Sequence, residues 1–191
     1  MKDAERERLM PAVATSIERA GVSAQDIQRV VCGAGPGSFT SLRIAGAIAK
    51  GLANGVGCPL FTVSSMALIL GGAQLPAGRY LVAIDALRNE FYLGLYTVDW
   101  MGLISEVGPV RLAASGELQE LAETFEARVV SPAPIAGSIT ASPRARAVAR
   151  LERTLHDSGP VSLESWEPSY GRLAEAQVRW ESAHRRALPP A

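Results

Sequence analysis

The chain has 191 residues, with 19 lysines and arginines balanced by 19 aspartates and glutamates. That length allows one or two small α/β domains with a real core. The charge balance leaves no overall footprint for nucleic acid, so any RNA contact must be local or made by a partner. No run of about 18 apolar residues is present to span a membrane, and the opening Met-Lys-Asp-Ala-Glu-Arg-Glu-Arg lacks the apolar stretch of a signal peptide. A cytoplasmic protein with no membrane contact is expected. Cys32 and Cys58 stand outside any Cys-x-x-Cys pair and read as small buried thiols. His156 and His184 lack ligand spacing, so no protein-built metal site is expected.

In chain order, residues 3–20 read as a helix with Leu9, Val13 and Ile17 at i+4 spacing and Met10 beside them. Gly21 stops it. Arg29-Val30-Val31-Cys32 is a short strand that runs into Gly33-Ala34-Gly35-Pro36-Gly37, a forced turn. Ser38 or Thr40 caps a helix over 39–55. Leu42, Ile44, Ala45, Ala47, Ile48, Ala49 and Leu52 leave that helix almost no polar face, which predicts burial all round, against a sheet on one side and another chain on the other. Residues 60–63 form a strand, and Ser64-Ser65 caps a short helix ending at Gly71-Gly72. Residues 80–84 and 90–98 read as two strands joined by a tight turn, with 102–110 adding a third. A helix follows Ser115, a strand covers Val129-Val130, and Ser142-Pro143 opens a helix to about residue 157. Trp166, Tyr170 and Trp180 are expected anchors of an irregular tail. The order suggests two α/β lobes, 1–74 and 75–191.

The glycine turn sits between strand and helix, where backbone N–H groups can hold an anion. It is neither a Walker loop, since Ser38-Phe39 follows Gly37, nor a dinucleotide fingerprint, since the stretch from Cys58 to Ser65 contains no acid. Gly35, Gly37 and Ser38 are the candidate nucleotide or anion contacts. The longer string says more. Gly35-Pro36-Gly37-Ser38-Phe39-Thr40-Ser41-Leu42-Arg43-Ile44, continuing to Ala49-Lys50-Gly51-Leu52-Ala53, resembles the signature of the TsaB (YeaZ) family, with Ser41 where that family has glycine. Pro59 to Ser65, Asp85-Ala86 with Arg88, Glu90-Phe91-Tyr92, and Pro168-x-Tyr170-x-Arg172 resemble further family segments.

The resemblance implies the actin-like/Hsp70/sugar-kinase ATPase (ribonuclease H-like) fold in two lobes. Members usually open with an Asp-Thr-Ser strand and hairpin, whereas this sequence begins at the first long helix: either the start is set too late, the gene is truncated or the first lobe is reduced, and the strands near Val31 and Phe61 are expected to leave a two-stranded sheet with an open edge. It also implies a non-catalytic subunit of the machinery that makes threonylcarbamoyladenosine in tRNA. That subunit pairs with a TsaD-type catalytic subunit, is joined by a TsaE-type ATPase, and meets tRNA only indirectly. The pairing surface it implies is the two first-lobe helices, for a partner or a homodimer: Leu9, Met10, Val13, Ile17, Leu42, Arg43, Ala45 and Ala49. No intrinsic cofactor is implied, although ATP or ADP has a place at the partner interface. A small-molecule kinase of the same fold class is the rival reading, disfavoured by the missing first-lobe aspartate. A metallopeptidase is weaker still, for want of zinc-ligand spacing. Asp85 and Glu90 can be drawn as a carboxylate pair, but a turn residue beside a strand end is the plainer account.

Overall fold

The computed structural model describes residues 9–171; residues 3–8 of the expected first helix, Arg172, Trp180 and His184 lie outside the described residues. Helix α1 spans Leu9–Ala20 and holds no fully buried residue. Strand β1 (Val30–Gly33) leads through the glycine turn into α2 (Phe39–Val56), which stops on Gly57 in the left-handed region. Strand β2 (Leu60–Val63) returns beside β1 in parallel, pairing Val30 with Leu60 and Cys32 with Thr62. Helix α3 (Ser65–Gly72) follows, capped by the Ser64 hydroxyl, which accepts from the Met66 amide at 3.2 Å.

The second sheet holds six strands. β3 (Gly78–Asp85) and β4 (Glu90–Val98) form the expected antiparallel hairpin, and β7 (Arg128–Ser131) lies parallel on the other side of β3. β5 (Ile104–Glu106) and β6 (Arg111–Ala114) both pair with β4, and β8 (Ile139–Thr140) with β7. The single third strand expected over 102–110 is thus two short ones, broken around Pro109, which has no N–H to give a ladder. Helix α4 (Leu118–Thr124) follows a turn of 3₁₀-helix at Ser115–Glu117. The helix expected over 142–157 is also two pieces, a 3₁₀ segment Ala145–Arg150 and helix α5 (Glu152–Ser158).

Alternation along β3 sorts two cores. Leu81 and Ala83 face α4 with Leu93, Leu118, Ala122 and Val129, while Tyr80 and Val82 face α3 with Met66, Ile69, Leu70, Tyr92, Tyr96 and Leu155. The small sheet is divided likewise. Val30, Cys32 and Leu60 meet Ala49 and Ala53 of α2, whereas Val31, Phe61 and Val63 turn toward the α3 core. Helix α3 therefore packs into the core of the six-stranded sheet. Burial raises the pKa of the Cys32 thiol.

Candidate functional site: the glycine turn, its helix and the strap across them

The turn is pinned from beneath. Ala34 N–H donates to the Val63 carbonyl at 2.7 Å, Gly35 N–H to the Ser65 hydroxyl at 3.1 Å, and Ser65 N–H to the Gly35 carbonyl at 2.9 Å. Gly35 has φ +100°, open only to glycine, and a methyl there would lie on the Ser169 carbonyl oxygen. Ser38 does not cap α2 through its side chain; its hydroxyl instead accepts from Ser41 at 3.2 Å. The serine that departs from the family string is thus engaged with the residue next to the turn.

From above, residues 161–171 run as an irregular strap. Val161 N–H donates to the Leu60 carbonyl at 2.8 Å, closing the outer edge of β2, and Ser169 N–H donates to the Ala34 carbonyl at 2.7 Å. Trp166 and Pro168 lie over Gly46, and the Lys50 ammonium stands 5.8 Å from the Trp166 ring. Tyr170 meets Phe39 with ring centroids 4.4 Å apart. The Arg43 guanidinium sits 4.5 Å from the Phe39 ring, and its Nε donates to the Tyr170 hydroxyl at 3.4 Å. Arg43, expected either to seek a partner's acid or to remain solvated, is thus held by two aromatic rings of its own chain. The Tyr170 carbonyl accepts from Tyr92 of the second sheet at 3.3 Å.

This arrangement revises the all-round burial expected for α2. Its buried residues are Leu42, Gly46, Ala49 and Ala53, on the side toward the sheet and strap, while Ala47, Gly51, Asn54 and Gly55 are exposed. Alanine and glycine read as apolar, yet so little carbon surface costs almost nothing to leave in water. Of the residues expected to meet a partner, Leu42 and Ala49 are buried and Ala45 packs against the β1–β2 core, so these three face inward. Leu9, Val13 and Ile17 are half-buried and Met10 is 48% exposed, and all four stand outside the three buried clusters. Ile44, Ile48 and Leu52, at i+4 spacing on α2, share that status. Sequence patterning grouped both stripes as apolar but gave no sign that the strap would take the neighbouring flank.

Two further polar features lie in the second sheet. The buried Tyr96 hydroxyl lies 2.9 Å from the Ser64 hydroxyl that caps α3, which stitches the two sheets together. Desolvation lifts the Tyr96 pKa, and beside it burial raises that of Glu106 while the bond from Tyr96 lowers it. Asp85 and Glu90 line an open hollow of about 410 Å³. The Asp85 carboxylate accepts from the Leu87 amide at 2.7 Å, as a turn residue does.

Comparison with known proteins places this geometry. A family model described as "TsaD: tRNA N6-adenosine threonylcarbamoyltransferase" matches residues 2–109. The TsaB protein of Bacillus subtilis, named for tRNA threonylcarbamoyladenosine biosynthesis, is 26% identical over 91% of this chain and 82% of its own length. The Escherichia coli TsaB protein is 39% identical over 51% of this chain, a stretch that spans only 43% of that relative. Two solved Pseudomonas aeruginosa structures superpose well. One is described as similar to peptidase YEAZ (TM-score 0.73, 26% identity, 87% of this chain and 83% of that one), the other as YeaZ (0.70, 25%, 89% and 85%). These likenesses carry the actin-like, ribonuclease H-like α/β fold expected from the glycine-turn string. The chain belongs to the family that the matching model describes, and within it to the TsaB/YeaZ group.

Proposed function

We propose that this chain serves tRNA threonylcarbamoyladenosine synthesis as a non-catalytic scaffold subunit, paired with a TsaD-type catalytic subunit and joined by a TsaE-type ATPase. The tRNA reaches the complex through the catalytic partner. ATP or ADP, where it takes part, sits at the boundary between subunits. The relatives' names support the pathway. The observation that carries the scaffold reading is the pair of half-buried aliphatic stripes, Leu9–Val13–Ile17 on α1 and Ile44–Ile48–Leu52 on α2, which belong to none of the buried clusters among the described residues. Aliphatic surface of this kind marks an interface, and the same surface serves a homodimer when the partner is absent. Among the described residues no helix is long and apolar enough to cross a membrane.

The test is Val13→Glu. An unpaired carboxylate taken into an interface costs several kcal/mol, and about 1.4 kcal/mol is already tenfold in affinity. Sedimentation with the TsaD-type subunit should show association at least about tenfold weaker, with the melting temperature of the isolated chain nearly unchanged. Undiminished association would remove the α1 stripe from the interface and the scaffold reading with it.

A further inference from the structure

The strap at residues 161–171 has a seat shaped for it, yet it is only lightly attached. The shaping shows at two glycines. A side chain on Gly35 would collide with the Ser169 carbonyl, and one on Gly171 would come within 2.5 Å of the Tyr92 ring. The light attachment shows in exposure. Val161, Leu163, Trp166, Pro168 and Tyr170 are half-buried, the residues between them are exposed, and none is fully buried. Among the described residues, backbone hydrogen bonds from Val161 and Ser169 tie the strap to the first sheet, and the Tyr92 hydroxyl donates to the Tyr170 carbonyl at 3.3 Å from the second. Each such bond contributes about 0.5–1.5 kcal/mol net. By contrast, Tyr80, Val82 and Ala83 in β3 are wholly buried. Segments with few buried contacts open at free energies well below that of global unfolding.

We infer that residues 161–171 form a releasable clasp, independent of the scaffold role proposed above. Closed, it joins the glycine turn to Tyr92 and fixes the small sheet against the large one. Open, it frees the turn and the Phe39–Arg43–Gly46–Lys50 flank of α2 as one unit, while the six-stranded sheet stays folded. Tyr170 is the positioning residue, because it touches both sides: Phe39 and Arg43 through its ring and hydroxyl, Tyr92 through its carbonyl.

A cysteine pair tests this. A Cβ on Gly46 would lie 3.3 Å from Pro168 Cγ, so Gly46→Cys with Pro168→Cys, in a Cys58→Ser background, is within disulfide reach. Amide hydrogen exchange is followed in the oxidised and reduced forms. Reduction should speed exchange over residues 30–42 at least about tenfold, equivalent to about 1.4 kcal/mol, and leave β3 and β4 as slow as before. Tyr170→Ala in the otherwise native chain should reproduce the fast pattern, and Tyr170→Phe, which keeps the ring, should fall between. Equal exchange over 30–42 in the oxidised and reduced forms would overturn the clasp. So would acceleration that spreads equally into β3 and β4, since the strap would then be ordinary structure whose loss unfolds everything. If Tyr170→Ala does not fold, the oxidised and reduced forms decide alone.

Discussion

The two sheets are stabilised in different ways. The six-stranded sheet is covered on both faces by its own helices, with α4 on one side and α3, the 3₁₀ segment and α5 on the other. The β1–β2 pair is too small to stand alone. It leans on α2 at one face, on the α3 core at the other, and on the strap at the β2 edge. One region is therefore self-sufficient and the other is held by what surrounds it. Substitutions in the first should lower global stability, whereas substitutions at the supports of the second should loosen one part and spare the rest.

The largest expected effect lies in the self-sufficient sheet. Leu81 is 1% exposed in the central strand, and Leu81→Ala should cost about 2–5 kcal/mol. Denaturant unfolding should show one shifted transition for all probes; separate transitions for the two sheets would mean that they are not coupled as described. Next comes Gly35→Ala. Its left-handed backbone alone costs a residue with a Cβ about 1–3 kcal/mol, and the added methyl displaces Ser169. Proteolysis within residues 161–171 should rise several-fold under native conditions while the large sheet's melt shifts by less than in Leu81→Ala. A melt shift as large as that of Leu81→Ala would show that the glycine turn is common core after all.

The smallest effect sharpens the seam between the sheets. Glu106 takes up its proton more readily in the folded protein than in the unfolded one, because burial raises its pKa more than the Tyr96 bond lowers it. Stability should therefore fall as pH rises from the ordinary carboxylate value through the raised one. Glu106→Gln cannot ionise and should escape that loss. The variant's advantage in melting temperature should be near zero at about pH 3.5 and present, though small for so accessible a group, at about pH 7.5. An advantage confined to the acid side would reverse the sign and refute the burial argument.

Much of this architecture was legible in the chain. The strand–glycine-turn–helix at residues 30–56, the side-by-side placing of β1 and β2 and the β3–β4 hairpin all follow from short apolar runs bounded by turn residues, while the parallel sense of β1–β2 comes from the structure. What could not be read depends on contacts distant in sequence. Residues 142–157 carry helix-forming Ala and Arg, yet 145–150 wind as 3₁₀-helix. That segment nests on α3 so closely that a Cβ on Gly71 would stand 2.7 Å from the Ala147 methyl. Arg43 looks like a surface cation until Tyr170 arrives from far along the chain. The two stripes assigned to a partner looked like one continuous apolar helix surface, because patterning counts Ala45 and Ile48 alike and cannot say which of them meets the sheet.

The strap also sets an order of events during synthesis. Arg43 and its Tyr170 partner are 127 residues apart, and Val161, Leu163 and Trp166 complete the cluster around Cys32 and Leu60. At roughly 5–20 residues per second, a ribosome needs about 6–23 s to make residues 57–171 after α2 is complete. Through that interval the nascent chain shows the β2 edge, the glycine turn and the bare flank of α2 to the cell. Until residues 161–171 are made, that side of the first sheet has no cover from the strap.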